Sequence, residues 1–224
     1  MKSIKPLYLL LVVLTFLLIE GALYLAFLYA PTERTMGDVQ RIFYFHVPSA
    51  WVAFLAFFVT CIASIAFLRT GKATWDRLAA GSAEIGVLFV SLVLITGPLW
   101  AKPVWNVYWS WDARLTTSLI LWLIYIAYLM VRHYTADPER GARFAAVFGI
   151  IGFLDVPIVY MSIRWWRTLH PAPVMGGGGG LAPEMFRTLM AGILAFTVLY
   201  ITLLVLSYRI STLQQKLQAI KHSS

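Results

Sequence analysis

The chain has 224 residues, 60% of them from Ala, Val, Ile, Leu, Met, Phe, Trp, Tyr and Cys and only 12% charged. Soluble domains run about 45–50% apolar and about 25% charged, so this composition, with a mean hydropathy of +0.77, excludes an ordinary soluble domain. The net charge of +8 is read as orientation in a bilayer and not as a nucleic-acid footprint, and the single cysteine, Cys61, allows neither a disulfide framework nor a cysteine metal site.

Six apolar runs cover about 7–29, 47–68, 80–99, 115–131, 144–163 and 187–208. Each is close to the roughly 20 residues that cross a bilayer, so the expected fold is an all-α integral membrane protein, a single six-transmembrane-helix bundle. The first run follows Lys2 and Lys5, but it is longer than the about 7–15 apolar residues of a signal peptide and Leu28 spoils a cleavage site before Pro31. It is read as a retained span.

Orientation follows Lys and Arg in the connecting segments. The N-terminus, the 69–79 and 132–143 loops and the tail carry Lys2, Lys5, Arg69, Lys72, Arg77, Arg132, Arg140, Arg143, Arg209, Lys216 and Lys221; the other segments carry Arg34, Arg41, Lys102, Arg114, Arg164, Arg167 and Arg187. Eleven of the 18 thus share the side of both termini, which is assigned to the cytoplasm. Seven of nine tryptophans (Trp51, Trp100, Trp105, Trp109, Trp111, Trp165 and Trp166) fall on the opposite side, with only Trp75 inside and Trp122 within span four. An aromatic belt would enrich both interfaces, so the outer face is expected to carry an aromatic platform.

Along the chain, His46 opens span two on the outer side, and Pro48 beside it would let its ring project from a helix end. The middle outer loop, 100–116, holds Trp100, Trp105, Trp109 and Trp111, followed by Asp112 and Arg114. A short helix would put Trp105 and Trp109 on one face, whereas a strand would pair Trp109 with Trp111; both stay open. Asp112 and Arg114 bracket the entry to span four and read either as an N-terminal cap with a local charge pair or as part of a ligand-binding site. Arg114, and Arg41 near His46, are also suited to meeting carboxylates of a ligand. Trp165 and Trp166 precede His170 in the last outer loop, where Gly176–Gly180 reads as a flexible connector, a gate or a plain spacer. His133 and His222 fall in polar cytoplasmic segments. That leaves His46 and His170 flanking the aromatic loop, a pattern that favours a planar, iron-bearing ligand, since haem iron accepts axial histidines. Glu20, Glu84 and Asp155 lie in or near spans and read as structural or partner-subunit contacts before a proton path.

The run Trp100-x-Lys-Pro-x-Trp105-x-x-Tyr-Trp109-x-Trp111-Asp112-x-Arg114-Leu-Thr resembles the tryptophan-rich "WWD" signature of haem-handling proteins. With Arg41-Ile-Phe-Tyr-Phe-His46-Val-Pro-Ser-Ala-Trp51, the stretch from Asp155 through Trp165-Trp166 to His170, and six spans, the chain resembles the CcmC (HelC) family of cytochrome c maturation over about residues 35–210. It departs at Ala101 and Asn106, where the motif commonly has glycine, and at Tyr108, where tryptophan is usual. The resemblance implies a non-covalent haem b held at the periplasmic face of a bacterial inner membrane, with His46 and His170 as axial ligands and the WWD loop as platform. It implies delivery to the haem chaperone CcmE beside CcmA, CcmB and CcmD, without enzymatic turnover. The alternatives are a cytochrome c haem lyase of the same superfamily, a b-type electron-transfer cytochrome, and a plain transporter subunit whose aromatics serve only the interface. The lyases are longer and carry further membrane histidines, and a b-type cytochrome buries its haem between spans.

Overall fold

A computed structural model describes residues 6–170 and 180–223, helical throughout apart from its connecting segments. Among the described residues, six helices are long and apolar enough to cross a membrane. α1 (Pro6–Tyr24) runs on through a π-helical turn at Leu25–Tyr29, and a 3-10 turn at Asp38–Ile42 leads into α2 (Phe43–Thr70). α3 (Ala73–Trp105), α4 (Ala113–Tyr134), α5 (Pro138–Trp165) and α6 (Pro183–Ser223) follow. Of the Gly176–Gly180 run only Gly180 is described, so the expected connector lies outside the described residues.

The helices outrun the apolar runs. α2 starts at Phe43 and α3 continues to Trp105 although Pro48, Pro98 and Pro103 lie inside them. Proline removes a helix hydrogen bond, but packed spans tolerate it because neighbouring elements take up the freed groups. At Pro48 the neighbour is α6, which lies so close that a Cβ built on Gly192 would sit 3.1 Å from the Tyr44 carbonyl oxygen.

Local chemistry sets the turns. Gly71 takes a left-handed conformation (φ 66°) and returns its N–H to the Phe67 carbonyl at 2.8 Å, reversing the chain into α3. Asp137 caps α5 by accepting from the Glu139 and Arg140 N–H groups, with Pro138 in the first turn. At that same end Arg132 of α4 grips Asp76 of α3 with both terminal nitrogens, one at 2.6 Å.

α2 packs along α3 and α4 along α5, α2 also touches α5 and α6, and α1 lies on α6. The central core joins Val52, Ala56 and Phe57 of α2 to Leu121, Tyr125 and Tyr128 of α4. A second apolar cluster lies at the opposite end from the Arg132 pair. There Ala26, Phe43, Trp100, Met185 and Leu189 bring the π turn, α2, α3 and α6 together. That cluster backs the site.

Candidate functional site

His46 stands in the first turns of α2 and its ring is buried, 7% exposed. The expectation that it projects from a helix end is corrected: the helix begins ahead of Pro48, so His46 faces the bundle against α3. Its Nδ1 lies 2.8 Å from the Thr96 hydroxyl of α3. His170 follows α5 in an irregular, half-buried segment, where its backbone N–H donates to the Thr168 hydroxyl at 3.1 Å. The two imidazoles are neighbours, with centroids 6.5 Å apart and planes inclined by 37°.

Trp100 and Trp105 ride on the last turns of α3, with ring centroids 6.3 Å apart. The helix stops at Asn106, whose φ of 58° is the only positive value of a non-glycine among the described residues. This conformation favours glycine and then asparagine, so the residue that departs from the motif is the one best able to keep its shape. Lys102 holds it, donating Nζ to the Asn106 carbonyl and side-chain oxygens at 3.1 and 3.0 Å. Residues 107–112 are irregular. Neither the short helix through Trp105 and Trp109 nor the strand through Trp109 and Trp111 forms.

The tryptophans divide. Trp100 is buried, 5% exposed, and meets His46 edge-on at 6.1 Å. Trp105 and Trp109 line the same pocket, whereas Trp111, 76% exposed, touches Trp109 edge-on from outside. Trp165 and Trp166 pack on each other at the surface. The indole N–H groups of Trp100 and Trp109 are buried without an acceptor among the described residues.

The two arginines also part. Arg114 reaches across to α5 and donates to the Val159 carbonyl, and it lines the cavities beside both histidines. Arg41 does not join it. Its guanidinium closes the end of the first span, donating to the Ala26 and Ala30 carbonyls and pairing with Asp38 at 3.2 Å. Asp112 caps α4, accepting from the N–H groups of Arg114 (2.9 Å) and Leu115 (3.1 Å), and takes the Ser110 hydroxyl at 2.8 Å. The Thr168 hydroxyl, which accepts the His170 N–H, is among the groups that act on this carboxylate, which brings the cap close to the segment bearing His170. Burial pushes the Asp112 carboxyl up, but the bonds from Leu115, Ser110, Thr168 and Arg114 together hold it below its ordinary value.

Asp112→Ala is therefore expected to cost about 1 kcal/mol of stability and to loosen His170, while Asp112→Asn keeps the cap. Because the folded carboxyl has a lowered pKa, its contribution is present above the ordinary carboxylate range and lost as pH falls through the lowered value. Thermal melts taken from neutral to acid pH check this: the parent should lose stability on acidification more steeply than the Asn variant.

Two cavities meet at the histidine pair. One is a slit of about 70 Å³ walled by Trp100, Trp105 and Trp109; the other, about 760 Å³, extends towards Met36, Met185 and Leu189. His46, His170, Trp100 and Arg114 belong to both linings. Pockets for small ligands are about 300–1,000 Å³. Thr96 belongs to none of the motifs read from the sequence, and Thr168 lies within the stretch that ends at His170 without a role having been read for it. A hydroxyl residue inside or beside an apolar run, within a turn of a motif residue, is the one signal that marks them.

By fold and site this is a multi-pass membrane protein in which a tryptophan-walled slit and a larger cavity meet at two neighbouring histidines. The model of the CcmC family, described as "Heme exporter protein C", matches residues 1–223, and the chain belongs to that family. It is 38% identical over 194 residues to Heme exporter protein C of Bradyrhizobium diazoefficiens, covering 86% of this chain and 74% of the relative. It is 32% identical over 181 residues to Heme exporter protein C of Escherichia coli, covering 81% and 74%. It is also 31% identical over 206 residues to a ccmC-like mitochondrial protein of cytochrome c biosynthesis from Arabidopsis thaliana, covering 88% and 78%.

Proposed function

We propose that this chain handles haem for cytochrome c maturation, holding it between His46 and His170 and passing it to the haem chaperone CcmE. Family membership supports the haem-handling role. The observation that carries the binding mode is the neighbouring pair of imidazoles, 6.5 Å between centroids. With metal–nitrogen bonds of about 2 Å and about 1 Å from nitrogen to ring centre, two imidazoles on either side of one metal place their centres about 6 Å apart.

The surroundings suit the cargo. Tryptophan walls offer apolar area for a porphyrin, the Arg114 guanidinium offers a cation to its carboxylates, and the unpaired indole N–H groups of Trp100 and Trp109 would gain acceptors. The excess of Lys and Arg at the other end of the bundle supports placing the site on the periplasmic side of a bacterial inner membrane. CcmA, CcmB and CcmD are the partners of this reading, and the chain acts as a carrier without catalytic turnover.

Burial of His46 is a feature shared with b-type cytochromes. Against that second reading, His170 stands on no helix, so its side of the iron opens without disturbing a span. One assay decides between them. The detergent-purified chain is loaded with haem and mixed with the haem-free soluble domain of CcmE, and absorbance follows the haem. Transfer to the chaperone is expected; haem that loads and stays on the chain would favour electron transfer, and failure to load would reject both.

A further inference from the structure

We propose that Thr96 is a positioning residue that fixes His46 in its Nδ1–H tautomer, so that Nε2 presents its lone pair to the haem iron; the second half of this rests on the haem-ligand reading. The proposal comes from counting one proton. The Thr96 hydroxyl has a single hydrogen and two lone pairs. It lies 2.7 Å from the Leu92 carbonyl, one helical turn back, and 2.8 Å from His46 Nδ1. A carbonyl oxygen only accepts, so the hydroxyl proton points to Leu92. The hydroxyl can then meet Nδ1 only as an acceptor, and Nδ1 must carry the imidazole hydrogen. Giving the proton to Nδ1 instead would leave two oxygen atoms in contact with no hydrogen between them.

The neighbouring turn of α3 fixes the ring as well as its proton. Thr96 and Trp100 share a helix face at i, i+4, and Trp100 meets the imidazole edge-on. Between them Gly97 presents bare backbone, where an added Cβ would lie 3.5 Å from His46 Cε1. A ligating imidazole whose other N–H is held by a fixed acceptor is locked in orientation and is a more basic ligand, and loss of such a support costs about 10–100-fold in metal affinity.

The test uses the full chain in detergent with ¹⁵N-labelled histidine, haem-free, at a pH where imidazole is neutral. His46 signals are those lost in His46→Gln. The expected pattern is a protonated Nδ1 and a bare Nε2, shifting towards a mixture in Thr96→Val and returning in Thr96→Ser. In haem-loaded protein, Thr96→Val should lose about 10-fold in haem retention and shift the midpoint potential, with Thr96→Ser restoring both. An Nε2–H form in the unsubstituted protein would overturn the proposal, as would a Thr96→Val variant with unchanged nitrogen shifts and potential. If His46→Gln left the haem spectrum unaltered, the ligand reading would fall, while the nitrogen shifts would still decide the tautomer.

Discussion

Alanine at His46 and alanine at His170 are each expected to change the same haem absorption spectrum, and to weaken haem retention beyond the about 10–100-fold that loss of a supporting contact costs. The ring centroids lie 6.5 Å apart, so under the proposed ligation either deletion would take away one side of a shared iron. The two losses should differ in degree. His46 is buried in a helix and held through Nδ1, whereas His170 sits in an irregular segment tied by its backbone to Thr168. Removing His46 opens an enclosed space beside Trp100, so free imidazole should re-enter there and restore the spectrum. Removing His170 leaves the better-ordered ligand in place, and the remaining haem should stay bound, though more weakly. Haem content and spectra of the two purified variants, with and without imidazole, measure this. An unchanged spectrum in either variant would remove that histidine from the iron.

Gly86→Val should be the most damaging substitution at a position that touches no proposed ligand. A Cβ at Gly86 would collide with the Phe57 ring, its Cε1 nearest and its Cδ1 at 2.7 Å. Phe57 has little room to retreat, because its ring stacks on Tyr125 at 3.6 Å and both side chains are fully buried. Overpacking of this kind costs about 1–3 kcal/mol, and here it would push apart α2 and α3, the helices that carry His46 and Thr96. Thermal stability and haem retention should therefore fall together. Gly21→Ala is the control, since nothing lies within 4 Å of a Cβ built there. A Gly86→Val protein as stable as its parent would show that α2 and α3 are free to separate.

Much of this was legible in the sequence because it depends on length and composition. A run of some 20 apolar residues declares a span without knowledge of its neighbours, and six such runs fixed the fold class. That His46 and His170 share one end of the bundle with the tryptophan cluster was legible in the same way, from the order of the spans. What depends on packing was not. Pro48, Pro98 and Pro103 look like helix boundaries in isolation, yet α2 and α3 run through them inside the bundle. Arg41 and Arg114 look equivalent, each near a motif residue, but the carbonyls that end the first span and Asp38 capture Arg41, while α5 offers Arg114 one carbonyl beside the cavity. Trp100 and Trp111 belong to one motif, and only the continuation of α3 buries the first and leaves the second outside. Thr96 lies 50 residues from His46, and nothing short of the fold brings them together.

The central claim is that one iron lies between two histidines of this chain. Electron paramagnetic resonance of the ferric, haem-loaded protein reads that coordination directly. The unsubstituted protein should give a low-spin signal at one haem per chain, and either single alanine variant should convert it to high spin. A high-spin signal in the unsubstituted protein, or a low-spin signal surviving in both variants, would contradict the shared ligation.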